Sequence, residues 1–122
     1  GTPNEMGQGA GEGFTLNLPV SSGTKGSTYE ALLKDQVIPA MQSFQPQLIL
    51  ISAGFDAHRR DPLAGVMLED EDFATLAELV LSAADDLCEG KVVAVLEGGY
   101  DLEGLSGGVE EMVRAMLIHS SH

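Results

Sequence analysis

Bulky apolar side chains occupy consecutive positions at Leu48-Ile49-Leu50-Ile51, shrink at Ser52-Ala53-Gly54, and give way to polar groups at Asp56. A run without polar alternation predicts a central parallel strand, buried on both faces. A second run, Val92-Val93-Ala94-Val95-Leu96, ends the same way in Glu97-Gly98-Gly99-Tyr100. Three helical stripes surround them. Leu32, Leu33, Val37, Ala40 and Met41 predict a helix from Ser27 or Thr28 through Phe44, kinked at Pro39. Phe73, Leu76, Leu79, Val80, Ala83 and Leu87 predict a second helix, opened by the acidic run Glu69 to Asp72 and ended by Gly90. Leu105, Val109, Met112, Val113, Met116 and Leu117 predict a third, from Leu102 to about His119. Upstream, Phe14, Leu16, Leu18 and Val20 alternate as a strand from Phe14 to Val20 would, with Pro19 marking an edge or end.

Strand and helix therefore alternate three times. That order predicts an α/β fold, a three-layer α/β/α arrangement with a mainly parallel sheet and helices on its faces. In such sheets ligands bind beyond the carboxyl ends of the strands. If the two apolar runs pair at about 4.8 Å, Asp56 and Tyr100 face one crevice.

Length and charge narrow the function classes. The chain has 122 residues, enough for one domain, with 43% hydrophobic residues and 15 glycines. Its net charge of -13, with six Lys and Arg and no basic patch beyond Arg59-Arg60, excludes a nucleic-acid-binding face and suits a cationic substrate. No apolar run approaches the ~18 residues of a membrane span, and the start lacks the basic and apolar regions of a signal peptide. The single cysteine, Cys88, forbids an internal disulfide and fits a small buried thiol in a reducing compartment, so the cytoplasm is the expected location.

Glycines at 7, 9, 11 and 13 imitate a dinucleotide-binding loop, but the strand follows them where that fingerprint needs it in front. A nucleotide-binding α/β domain ranks third among the readings. The four acids at 69 to 72 lack the spaced ligands and central glycine of a calcium loop, and read as a solvated helix start. His58 reads as a loop residue near solvent or Asp61, and His119 and His122 as a frayed end.

Asp56 alone reads equally well as a turn residue. Asp61-Pro62-Leu63 close behind it, and Tyr100 behind two glycines that let a ligand approach the backbone, change that balance. A carboxylate that binds a divalent metal, beside a phenol that donates to a developing oxyanion, suits metal-assisted hydrolysis of a carbonyl compound.

G-F-D-A-H-R-R-D-P-L-A-G at 54 to 65, L-E-G-G-Y-D-L at 96 to 102 and L-N-L-P-V at 16 to 20 resemble the histone deacetylase superfamily. That superfamily includes bacterial acetoin-utilisation and acetylpolyamine amidohydrolase proteins. The resemblance implies an arginase/deacetylase-like fold and a zinc ion, held by two aspartates and a histidine, that activates water against an acetyl-amide. By it Asp56 corresponds to the last metal ligand and Tyr100 to the tyrosine that polarises the carbonyl. Gly98 and Gly99 correspond to the pair lining the acetyl-lysine tunnel, Leu63 to an apolar residue at its rim, and Phe14 to a backbone carbonyl at a structural potassium site.

The family's tandem histidines and aspartate-x-histidine motif have no counterpart here, since the three histidines stand at 58, 119 and 122. Residues 1–122 are therefore expected to form the carboxyl-terminal part of a deacetylase domain, inactive and without zinc when isolated. The alternative expectation is a non-catalytic module that self-associates through sheet surface left uncovered.

Overall fold

A computed structural model describes residues 1–121 of the chain; His122 lies outside the described residues. After a short 3-10 turn at Gly9–Gly11 come α1 (Gly26–Leu32), a π-helical turn (Leu33–Val37) and α2 (Ile38–Phe44). β1 (Ile49–Ala53), α3 (Asp70–Cys88), β2 (Val92–Leu96) and α4 (Leu102–Ser120) follow. The expected α/β class is what forms. β1 and β2 pair in parallel, with Ile49 opposite Val92 and Ala53 opposite Leu96.

α3 starts where its acids predict, because Glu69 and Asp72 form a capping box: each side chain accepts from the other's backbone N–H. Its stripe packs along α4 through small residues, with Ala77, Ala84 and Ala115 at 5, 0 and 2% exposure, so the two backbones approach closely. Phe55, Val66, Leu68 and Phe73 make a second buried cluster beneath the strand ends. Phe73 and Phe55 meet there with ring centroids 5.1 Å apart, and burying one such ring contributes about 1.5–3 kcal/mol. α4 makes room for them: a Cβ at Gly108 would stand 2.6 Å from the Phe55 ring.

Three expectations are corrected. Phe14 to Val20 is irregular rather than a strand, since the described sheet has two strands and neither pairs with this segment. Its alternation has no partner; Asn17 instead donates to the carbonyls of Thr2 and Glu5. The strands are not buried on both faces. Ile49 and Ile51 are half-buried, while Leu50 is 70% and Val95 54% exposed, because α3 and α4 cover one face only. The chain end is not frayed up to His119, whose Nδ1 lies 3.1 Å from Asp85 Oδ2 and ties α4 to α3.

Pro39 stands in the first turn of α2, immediately after the π-helical turn. The widened turn absorbs the hydrogen bond that the ring cannot donate. Among the described residues, no helix is long and apolar enough to cross a membrane.

Candidate active site at the carboxyl ends of the paired strands

The ladder between β1 and β2 continues past both strands. Glu97 N–H donates to the Ala53 carbonyl at 3.0 Å, and Phe55 N–H donates to the Gly98 carbonyl at 2.8 Å. The loop bearing Asp56 and the loop bearing Tyr100 are thereby stitched together at their roots.

Asp56, half-buried, points its carboxylate at Gly98. A Cβ at Gly98 would lie 3.0 Å from Asp56 Cγ, and one at Gly54 would lie 2.7 Å from Asp56 Oδ1. Both glycines are thus small for the same carboxylate. Gly99 has φ +142°, a conformation that side chains rarely adopt, and a Cβ there would press on Leu105 and Phe55. Tyr29 of α1 also approaches: its burial, and then the charge of Asp56, push its hydroxyl pKa above the ordinary value. No sequence signal marked Tyr29, which the fold brings across from a different helix.

Behind the loop tips lies Asp61, 6% exposed. Its Oδ1 accepts from Leu63 N–H at 2.9 Å and its Oδ2 from Tyr100 N–H at 2.8 Å. Burial works against its charge, yet backbone N–H groups of Leu63, Tyr100, Asp101 and Ala64 outweigh it and hold the carboxyl below its usual range. Leu63 and Tyr100 themselves extend outward, 70 and 60% exposed.

His58 lies in the loop, and its carbonyl accepts from Asp61 N–H at 2.9 Å, but its ring does not face solvent. It is 4% exposed, stacked on Phe73, with Nε2 3.0 Å from Asp70 Oδ1 and Nδ1 accepting from Arg60 N–H. That Asp70 oxygen has no other hydrogen-bond partner among the described residues. Part of the acidic run therefore clamps the Asp56 loop to α3, and Arg59 with Glu69 adds an exposed ion pair at 2.7 Å. The histidine and its acid were legible one by one; their meeting was not. The segment 65–68 completes the frame: Met67 N–H donates to the Thr24 carbonyl, and Leu68 N–H to the Ala57 carbonyl.

Phe14 belongs to another cluster, edge-on to Phe44 with centroids 5.9 Å apart, in an apolar cleft that includes Leu48 and Leu50. A catalytic zinc takes about three protein ligands. Among the described residues no group of three or more His, Cys, Asp or Glu side chains could hold a metal, so Asp56 by itself does not make a zinc site.

A parallel α/β scaffold thus carries an acid and a phenol on adjoining strand-end loops, and the comparisons with known proteins say which family has it. Residues 1–116 match the family described as histone deacetylase domain, and the chain belongs to that family. It is 44% identical over 117 residues to "Histone deacetylase 10, chloroplastic" of Oryza sativa subsp. japonica, covering 96% of this chain and 26% of that protein. It is 38% identical over 96 residues to a histone deacetylase-like amidohydrolase of Pseudomonas aeruginosa, covering 79% of this chain and 25% of the relative. The crystal structure of the HDA15 HD domain superposes with a TM-score of 0.89 at 32% identity, over 96% of this chain and 32% of that one. The chain thus spans about a quarter of the length of these two relatives.

Proposed function

We propose that residues 1–122 are the carboxyl-terminal part of a zinc-dependent deacetylase that hydrolyses acetyl-amide bonds of acetyl-lysine or acetylpolyamine type. In this reading Asp56 is one carboxylate ligand of the metal. The remaining ligands and the general base come from the part of the domain outside this chain. Tyr100 donates its hydroxyl to the carbonyl oxygen as charge develops there, a role that a phenol on an exposed loop tip can fill. Gly98 and Gly99 leave room for the acyl group beside the backbone, and Leu63 offers an apolar rim. The net charge of -13 favours cationic amines as substrates. Cys88, a free buried thiol, accords with the cytoplasm as the compartment.

The observation that carries this reading is the continuous ladder from Ala53 to Gly98, which sets the two loops side by side, with Asp56 seated against Gly98. In the complete protein, Tyr100→Phe is expected to lower kcat on an acetyl-lysine reporter by about 10²–10³-fold, and Asp56→Asn to abolish zinc retention. The isolated 122-residue chain should show no zinc-dependent turnover. Turnover by that chain, or an unchanged kcat in Tyr100→Phe, contradicts the assignment.

A second reading, a non-catalytic module that self-associates, is favoured by one feature: the uncovered sheet face with Leu50, Val93 and Val95. A strictly monomeric chain in light scattering would count against it.

A further inference from the structure

Tyr100 presents its side chain to solvent, so its aim depends on the backbone that carries it. That backbone follows Gly99, whose φ of +142° provides no side-chain restraint of its own. One hydrogen bond from a side chain holds Tyr100 N–H, and it comes from Asp61, 39 residues earlier. The other oxygen of the same carboxylate holds Leu63 N–H.

We propose that Asp61 is a positioning residue that fixes the Tyr100 loop to the Leu63 loop, acting through the main chain and without touching substrate. The inference rests on the reading of Tyr100 given above. Burial makes the clamp stiff, because a carboxylate in this setting must keep its N–H donors or pay full desolvation. A second tie between the loops is weaker. Arg60 Nε lies 3.3 Å from Asp101 Oδ2 and its guanidinium also meets Glu103, but the Arg60 side chain is 49% exposed and solvent screens such a pair.

The test uses the complete deacetylase that contains this chain and begins with its unsubstituted form. There the Tyr100 and Leu63 amides should exchange hydrogen slowly; a Tyr100 amide that exchanges as fast as an unstructured peptide overturns the clamp. In Asp61→Asn, which removes one acceptor at constant shape, both amides should exchange about tenfold faster or more, since a bond to a charged group is lost. kcat should fall by about 10–100-fold with KM within about twofold, the pattern of a misplaced catalytic group. Combining it with Tyr100→Phe should lower kcat no further than Tyr100→Phe does. Arg60→Ala should leave the Tyr100 amide unchanged.

A drop in thermal midpoint with kcat intact, or multiplicative losses in the double variant, overturns the proposal. Should Asp61→Asn fail to fold, Asp61→Glu keeps both acceptors on a longer arm, and the same two readouts should move in the same direction by less. If Tyr100→Phe itself leaves kcat unchanged, the catalytic reading falls, and amide exchange alone then decides whether Asp61 joins the loops.

Discussion

The two faces of the short sheet are chemically alike and structurally opposite. On one, Ile49, Ile51, Val92 and Ala94 are half-buried, with Ile51 and Val92 packed beside Ala77, Leu81, Met112 and Met116 of α3 and α4. On the other, Leu50 and Val95 stand exposed, and the cleft that Leu50 borders continues to Phe14 and Phe44. Side-chain type does not distinguish the faces; a covering layer does. The candidate site grows from the covered side, where Phe55 is wedged between Phe73 and α4 and Asp56 is the next residue out. Its packing beneath the Asp56 loop is made by residues of this chain.

Substitutions can break or sharpen this contrast. The largest effect is expected from Phe73→Ala, which opens a cavity under both Phe55 and His58 and should cost about 3–5 kcal/mol in urea denaturation of the chain. Gly98→Ala comes next. Its methyl would meet the Asp56 carboxylate at 3.0 Å, so a loss of about 1–3 kcal/mol is expected, and an unperturbed midpoint would mean that the carboxylate is not seated there. Glu69→Ala removes half of the capping box and should cost about 0.5–2 kcal/mol, read in the same experiment. On the open face, Leu50→Ala should change stability by no more than about 0.5 kcal/mol. A cost approaching that of Phe73→Ala would show this face to be covered in solution.

A pH-dependent change concerns Asp61. Its folded-state carboxyl is depressed, so its contribution is complete above the unfolded pKa of about 3.9 and fades as pH falls through the lower folded value. Asp61→Asn should flatten the acid limb of the stability curve below about pH 4. An unaltered limb would show that the four N–H groups do not hold a charge.

The strand ends that carry Asp56 and Tyr100 are readable in the sequence for a definite reason. The runs at 48–51 and 92–96 end in small residues and then a polar group, and strand ends of that kind are local events. The helix stripes were equally local, and α3 begins with the acids that mark it. The failures share the opposite property. Phe14 to Val20 alternates as a strand does, but a strand exists only with a neighbour. His58 looked solvent-facing because nothing near it in sequence shows that Asp70 returns to meet it.

What the sequence determined by itself is periodicity, punctuation and the residues of three motifs, because backbone preference and side-chain spacing act over a few residues. Tertiary structure alone decided which face of the sheet is covered, that Tyr29 lies near Asp56, and that one buried carboxylate at Asp61 holds two loops. Those outcomes depend on contacts between distant segments, and only the folded chain brings such segments together.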